Sequence, residues 1–206
     1  MMPDNTGWRE AQLAPILRVI RGKQGTDRLL VTLDGRCASG KTTLARALGA
    51  ALSAPVLHTD DFVVPHAQKT ETRLAIPGGN CDWERLEAEV FRPWKEGQPV
   101  SFRRYDFRQD CLLPAEELQP GSCLIVEGSY CSLPALRRYA DVRLFLSLPE
   151  KLRLQRLAAR ETPESLQRFY DRWIPLEEAY FSAYALPDVG CVVVNGEVSC
   201  AAPECL

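Results

Sequence analysis

The residues best suited to chemistry form the pattern G-x-x-x-x-G-K-T, and its fixed positions are Gly35, Gly40, Lys41 and Thr42. Glycines let the backbone turn so that successive N–H groups point inward at a triphosphate. The Lys41 ammonium would reach the β- and γ-phosphates, and the Thr42 hydroxyl would bind Mg²⁺. The neighbouring residues that complete this predicted phosphate-binding loop are Ala38, Ser39 and Thr43.

The flanks of this loop distinguish it from an ordinary glycine-rich turn. Leu29–Asp34 is a short apolar run that is typical of a buried strand. Residues 42–52 follow the loop and carry Leu44, Leu48 and Leu52 on one helical face. Strand, glycine loop and helix in this order are the context that the phosphate-binding pattern requires.

Carboxylates follow two further predicted strands. Asp60 and Asp61 come after residues 54–58, and Glu127 comes after residues 124–126. Ligands of open α/β sheets bind at the carboxyl ends of the strands, so one aspartate can accept a proton from a hydroxyl group and help to position Mg²⁺. Periodicity does not decide which aspartate points inward. Glu127 is predicted as the second acidic partner of Mg²⁺.

Two later segments could contact a second substrate. Asp82 precedes an apolar helical face, so it could be a simple N-cap, a ligand for substrate hydroxyls, or both. Residues 99–107 alternate like a strand or hairpin arm, and Tyr105 and Asp110 lie near its end.

Arginines are dense after the strand predicted at residues 142–147. They lie on a helix from Pro149 that breaks at residues 162–164 and on the helix that resumes at Ser165. These arginines are Arg153, Arg156, Arg160, Arg168 and Arg172. The pattern suits a short lid, at about residues 156–168, that closes over phosphates. A solvated basic face paired with glutamates is the alternative.

Length and order of elements indicate one domain over residues 1–206. The expected fold is α/β, a doubly wound and mostly parallel five-stranded sheet with helices on both faces. Residues 1–28 would form an N-terminal helix and loop, with a helix over residues 8–21 that is interrupted or begins near Pro15. Asn195-Gly196-Glu197 would turn back toward the nucleotide.

Composition excludes several function classes. The net charge is −2, which gives no reason to expect nucleic acid or an acidic membrane surface as a partner. The chain has no long apolar run and no signal-peptide pattern, so we expect cytoplasmic residence. A homo-oligomer would be unsurprising, but the sequence does not indicate one.

The eight cysteines contain no C-x-x-C pair, so a zinc site is not expected. Cys37 lies inside the phosphate-binding loop, where Lys41 and a helix N-terminus could lower its pKa and make the loop redox-sensitive. The alternative is that Cys37 is a variable position of the loop without a function of its own.

The motifs in order resemble those of the uridine kinase and phosphoribulokinase-like family of P-loop kinases. The resemblance covers most of residues 29–194 and rests on LDGRCASGKTT, HTDDF at 58–62, GGNCDWERL at 78–86, RRYDF at 103–107, LIVEGSY at 124–130 and RWIPLEEAYF at 172–181. The first motif is widespread, and the later ones are more specific. The resemblance implies an ATP- and Mg²⁺-dependent kinase for a small-molecule hydroxyl.

Roles carried over from the family apply to particular positions. Asp60 would be the general base and a metal neighbour, with Asp61 beside the acceptor. Asp82 would bind sugar hydroxyls, and Tyr105 would form a wall of the acceptor pocket. The lid arginines would be Arg156 on the nucleotide, Arg160 in catalysis and Arg168 on the acceptor.

Two departures from the family bear on the acceptor. Val63 stands where the family commonly has tyrosine, and Asp110 stands where nucleoside kinases place a histidine. The 5′-hydroxyl of uridine or cytidine is the leading acceptor, and a sugar, glycerate or pantothenate type remains open. A nucleotide-bound switch without an acceptor is the rival, although the chain lacks an N-K-x-D element for guanine.

Overall fold

The structure is a computed structural model, and it describes residues 8–23, 25, 28–119 and 121–196. Its strands are β1 Leu29–Asp34, β2 Val56–His58, β3 Val100–Phe102, β4 Tyr105–Asp106, β5 Cys111–Leu112, β6 Glu116–Leu118, β7 Cys123–Glu127, β8 Val142–Ser147 and β9 Cys191–Asn195. The α-helices are α1 Glu10–Arg21, α2 Lys41–Leu52, α3 Glu71–Ala75, α4 Trp83–Leu86, α5 Arg92–Lys95, α6 Pro134–Arg137, α7 Glu150–Arg160, α8 Pro163–Arg168 and α9 Ile174–Ala183.

The central sheet has five strands in the order β2-β7-β1-β8-β9. Every neighbouring pair in it is parallel. This confirms the predicted α/β fold with a five-stranded sheet. Two small antiparallel pairs, β3 with β6 and β4 with β5, lie outside the central sheet. They contain the hairpin arm predicted near residues 99–107.

Alternate residues of β1 point to opposite faces of the sheet and enter two separate hydrophobic cores. Leu29, Val31 and Leu33 pack in a core with α1 and α2. Leu30 packs in the other core with α4, α5 and α9. Because a parallel strand that is covered on both faces must be apolar throughout, the continuous apolar run of β1 fits its central place in the sheet.

Two helical runs contain a π turn. Glu87–Phe91 joins α4 to α5, and Phe169–Trp173 joins α8 to α9. π turns commonly accompany functional sites, since the extra residue redirects the side chains around it. The second one lies within the arginine-rich segment of the sequence.

The prediction that α1 is interrupted or begins near Pro15 was wrong. The helix runs from Glu10 to Arg21 with Pro15 inside it. Proline lacks an N–H group and removes one helical hydrogen bond, which costs about 3 kcal/mol in a helix interior. Four buried apolar side chains offset this cost, each contributing about 1.5–3 kcal/mol. They are Leu13, Ile16, Leu17 and Ile20.

The register of the central strands brings the ends of β1, β2 and β7 to one edge. Leu33 of β1 and His58 of β2 both pair with Glu127 of β7. The loop after β1, the residues after β2 and the carboxylate that ends β7 therefore meet at this edge. Separately, no described helix is both long and apolar enough to cross a membrane.

The leucine stripe of α2 predicts a specific loss of stability. Leu48 is fully buried against the sheet, so Leu48→Ala should lower the free energy of unfolding by about 2–5 kcal/mol through lost burial and a residual cavity. Leu152→Ala is the control, since that side chain is 38% exposed, and it should cost less than about 1 kcal/mol. Equilibrium urea unfolding measures both, and equal losses would contradict the assigned core.

Candidate active site

A cavity of about 770 Å³ opens over the carboxyl edge of the sheet. Ten of the predicted nucleotide-binding, catalytic and metal-binding residues line it: Ala38, Ser39, Gly40, Lys41, Thr42, Thr43, Asp60, Glu127, Arg156 and Arg160. They come from four separate segments of the chain. The cavity is large enough for a nucleotide and a small second molecule.

The loop between β1 and α2 has the backbone of a phosphate cradle. Gly35 and Gly40 have φ of 144° and 101°, and Ala38 has φ of 58°. A Cβ atom on Gly35 would lie 2.5 Å from the Leu146 carbonyl oxygen, so only glycine fits there. Gly40 is the N-cap of α2. The positive end of that helix dipole therefore points into the cradle, where an anion would be stabilised.

Lys41 folds back over the loop. Its Nζ donates to the carbonyl oxygens of Gly35 at 2.6 Å and Arg36 at 3.0 Å. A phosphate oxygen is a stronger, charged acceptor than these carbonyls. The ammonium is therefore in position to turn toward a phosphate in the loop.

Thr42, His58 and Glu127 form a hydrogen-bonded group beside the loop. Glu127 Oε1 accepts from Thr42 Oγ1 at 2.8 Å and lies 2.6 Å from His58 Nδ1. The hydrogen bond to Glu127 raises the pKa of His58, against a smaller opposite effect of burial. Glu127 is almost fully buried, so these two partners fix its carboxylate.

This donor set fits Mg²⁺ that is shared with phosphates. Among the described residues, no cluster of three or more His, Cys, Asp or Glu side chains could hold a metal ion by itself. Mg²⁺ usually binds through one or two carboxylates, waters and substrate phosphates. The hydroxyl of Thr42 and the carboxylates of Glu127 and Asp60 are hard oxygen donors on the wall of one cavity.

The structure separates the two aspartates that the sequence left equivalent. Both belong to the short turn Thr59–Asp61, but Asp60 lines the cavity, whereas Asp61 does not and lies 3.8 Å from Arg104. The Asp60 side chain is exposed within the cleft, yet the surrounding protein removes part of its solvent. This desolvation raises the pKa of Asp60, and the charge of Lys41 opposes the effect.

Asp82 and Asn80 lie on the same segment but differ in access to the cavity. Asp82 is buried and caps α4 by accepting from the Arg85 N–H group at 3.2 Å. It does not line the cavity, but Asn80 does. Asn80 Oδ1 is buried with no hydrogen-bond partner among the described residues. The segment therefore presents an amide to the cavity, two residues before the carboxylate singled out in the sequence.

Tyr105 and Asp110 bond to each other away from the cavity lining. The buried Tyr105 hydroxyl donates to Asp110 Oδ1, which also accepts from the His66 N–H group at 2.9 Å. Phe107, from the same hairpin, lines the cavity.

The arginines predicted as a lid divide into three groups. Arg156 and Arg160 line the cavity, and Arg156 Nη1 donates to the Ser39 carbonyl oxygen at 3.3 Å. Arg153 is buried and donates to Cys37 Sγ at 3.2 Å. Arg168 and Arg172 are exposed and do not line the cavity.

Sequence reasoning missed three residues that hold the loop from outside. Asp34 accepts from the Gly35 N–H group at 2.7 Å and from the Tyr180 hydroxyl at 2.7 Å. Glu177 accepts from the Cys37 N–H group at 2.9 Å and from Ser129 Oγ at 2.5 Å. Asp34 could have been found as an acid at a strand end, whereas Ser129 and Glu177 lie within the motifs at 124–130 and 172–181 without a spacing that indicates their role.

Aromatic rings and a glycine also line the cavity. Trp8, Phe169 and Trp173 contribute rings from the start of the chain and from the second π turn. Gly196, from the turn after β9 that was predicted to contact adenine, also lines the cavity. Glu197, which belongs to the same prediction, lies outside the described residues.

The pKa of Cys37 is raised and not lowered, which favours the alternative that Cys37 is a loop position without a function of its own. Burial raises the pKa of this thiol to about 12, and the nearby Glu177 carboxylate acts in the same direction. Arg153 and Lys41 oppose the shift but do not overcome it. Cys37 therefore lacks the thiolate that a redox-sensitive loop would need.

Comparison with known proteins identifies a family whose model matches this chain. The model of the "Phosphoribulokinase / Uridine kinase family" matches residues 30–171. No curated protein matches the chain.

Several solved kinases share the fold. A possible uridine kinase from Bacillus stearothermophilus is 23% identical, with a TM-score of 0.69 over 89% of this chain and 97% of that chain. A putative fructose transport system kinase from Silicibacter sp. TM1040 is 26% identical, with a TM-score of 0.60 over 84% and 88%. D-glycerate 3-kinase from Cryptococcus neoformans is 15% identical, with a TM-score of 0.59 over 90% and 93%.

The raised pKa of Cys37 predicts a slow reaction with alkylating reagents. With a pKa of about 12, only about one thiol in ten thousand is ionised at pH 8, and the thiolate is the reactive form. Iodoacetamide at pH 8, followed by peptide mass spectrometry, should label the exposed Cys111 well before Cys37. Labelling of Cys37 at the rate of Cys111 would contradict the assigned environment.

Proposed function

Because the chain belongs to the phosphoribulokinase/uridine kinase family, we propose that it transfers the γ-phosphate of ATP to a hydroxyl group of a small molecule, with Mg²⁺. The family and the fold make it a P-loop kinase. The observation that carries the finer proposal is the shared cavity. Lys41, Glu127 and Asp60 line it together, so groups for the phosphates, the metal and the acceptor proton face one space.

The phosphate chain of ATP would lie in the loop. Backbone N–H groups from Ala38 to Thr43 and the N-terminus of α2 would bind its oxygens. Lys41 would leave the loop carbonyls and bind the β- and γ-phosphates. Arg156 and Arg160 line the same cavity, and Arg160 would stabilise the charge that develops during transfer.

Thr42, Glu127 and Asp60 would hold Mg²⁺ together with the phosphates. When bound, the ion would neutralise charge on the transferred group. Thr42 and His58 hold the Glu127 carboxylate through hydrogen bonds. These partners fix the carboxylate in advance, so less ordering is needed when the metal binds.

Asp60 is the proposed general base. It would accept the proton of the acceptor hydroxyl as that oxygen attacks the γ-phosphate. Burial raises the pKa of Asp60 and of Asp61 alike, so access to the cavity rather than basicity distinguishes Asp60 as the proposed base. Asp61 is not proposed as the base, since it does not line the cavity and lies 3.8 Å from Arg104.

The acceptor would sit between Asp60, Asn80 and Phe107. The unpartnered Oδ1 of Asn80 can accept from a substrate hydroxyl or N–H group. The ring of Phe107 can stack on a base or cover an apolar edge. Uridine and cytidine are the first acceptors to test on the family resemblance, and sugar-type and glycerate-type acceptors carry the same hydroxyl chemistry.

A matched pair of variants tests the proposed base. Candidate acceptors from a panel of nucleosides, sugars, glycerate and pantothenate are added one at a time to the protein with Mg²⁺-ATP. We expect the true acceptor to raise the rate of ADP release. Asp60→Asn should then lower kcat by about 10²–10⁴-fold, the usual contribution of a general base. Asp61→Asn is the control and should retain most of the turnover.

Three outcomes decide between the alternatives. Equal losses in the two variants would contradict the assignment of Asp60. Turnover with a sugar or glycerate but not with a nucleoside would keep the mechanism and remove uridine and cytidine. Slow ADP release that no acceptor accelerates would favour the nucleotide switch.

A further inference from the structure

Glu177 is a buried carboxylate in the cavity wall that the proposed transfer does not use. It is 6% exposed, and both of its oxygens are hydrogen-bonded. Oε2 accepts from the Cys37 N–H group at 2.9 Å, and Oε1 accepts from Ser129 Oγ at 2.5 Å. A buried charge is costly unless it is well bonded, and here both partners belong to the segments that surround the phosphates.

The position of Glu177 is unexpected on electrostatic grounds. A negative charge beside a loop that binds a triphosphate weakens binding by repulsion. Cys37 lies in the loop, and Ser129 follows two residues after Glu127. The nearby Arg36 charge offsets part of this repulsion, and hydrogen bonds that hold the loop in its binding geometry would offset more.

The neighbouring Glu178 holds the same part of the loop from the solvent side. Its carboxylate pairs with the Arg36 guanidinium through two contacts, at 2.5 and 2.7 Å. Consecutive carboxylates of α9 thus contact consecutive loop residues, one through the backbone and one through a side chain. The Arg36 pair is partly exposed, and exposed pairs contribute little, so Glu177 is the stronger attachment.

The helix that carries Glu177 also carries part of the cavity wall. α9 continues from the π turn Phe169–Trp173, and both end residues of that turn line the cavity. Glu177 is one helical turn beyond Trp173. A single helical run therefore contacts the loop at one end and presents aromatic rings to the cavity at the other.

We propose that Glu177 is a positioning residue that ties the outer side of the phosphate loop to α9, so that nucleotide affinity depends on its hydrogen bond to the Cys37 N–H group. This inference rests on the proposed function, because that function supplies the nucleotide whose affinity is measured. It adds a residue that touches neither ATP nor the acceptor in the proposed roles.

Two substitutions of similar shape separate the hydrogen bond from the charge. Glu177→Gln removes the charge, but its amide oxygen can still accept from the Cys37 N–H group. Its amide nitrogen can donate to Ser129 Oγ, while the Ser129 hydroxyl turns to the Gly35 carbonyl oxygen 3.3 Å away. Glu177→Met fills similar space with no comparable acceptor, and it leaves the buried N–H group unpaired.

The test is the affinity for ADP with Mg²⁺ and no acceptor, measured by isothermal titration calorimetry. We expect Glu177→Met to bind ADP about tenfold more weakly than Glu177→Gln, a difference of ~1.4 kcal/mol. Glu177→Gln should bind as tightly as the wild type or more tightly, since it removes repulsion. The KM for ATP should follow the same order in the steady state.

A control tests for a general effect of removing a carboxylate that accepts from a backbone N–H group, at a partly buried site away from the loop. Glu89 also accepts from a backbone N–H group, that of Arg103 at 3.0 Å, and from the Arg85 side chain at 2.8 Å. It does not line the cavity. Glu89→Met should lower the melting temperature without changing the Kd for ADP.

Each remaining outcome overturns a definite statement. Equal ADP affinity in Glu177→Met and Glu177→Gln overturns the positioning role, whatever their melting temperatures. A wild-type protein that binds no ADP or ATP overturns the proposed function, and this inference with it. If Glu177→Met does not fold by circular dichroism, Glu177→Ala replaces it in the same comparison with Glu177→Gln.

Discussion

The phosphate loop must hold its N–H groups toward the cavity while its outer side stays attached to the protein, and the rest of the site depends on this constraint. Two buried carboxylates satisfy this constraint. Asp34 accepts from the Gly35 N–H group, and Glu177 accepts from the Cys37 N–H group. Asp34 also accepts a hydrogen bond from the hydroxyl of Tyr180, which lies on the same helix as Glu177. One helix therefore supports the loop at both ends of its first turn.

Strand order provides the second half of the site. Because β7 lies between β1 and β2, its terminal Glu127 is next to both the loop and His58. Asp60 follows two residues after His58 and faces the same cavity. A different strand order would keep every motif in the sequence and still separate the carboxylates. The proposed chemistry thus depends on the topology of the sheet as well as on its residues.

Much of this arrangement could be predicted from the sequence, because it depends on local patterns. The strand before the loop, the leucines of α2 and the acids at strand ends follow from periodicity and from the position of ligands in parallel sheets. The orientation of side chains could not be predicted. Asp60 and Asp61 differ by a turn of the backbone. The pKa of Cys37 depends on its burial and on the opposing charges of the distant residues Glu177 and Arg153. Contacts between residues over a hundred positions apart leave no local pattern.

The most direct test of the central claim is the fate of a radiolabelled γ-phosphate. The wild-type protein is incubated with labelled ATP, Mg²⁺ and pooled small metabolites, and the products are separated by chromatography. The account predicts that the label appears in an organic phosphate that is absent when Asp60→Asn replaces the wild type. Label that appears only as inorganic phosphate, at the same rate with and without metabolites, would contradict transfer to an acceptor hydroxyl.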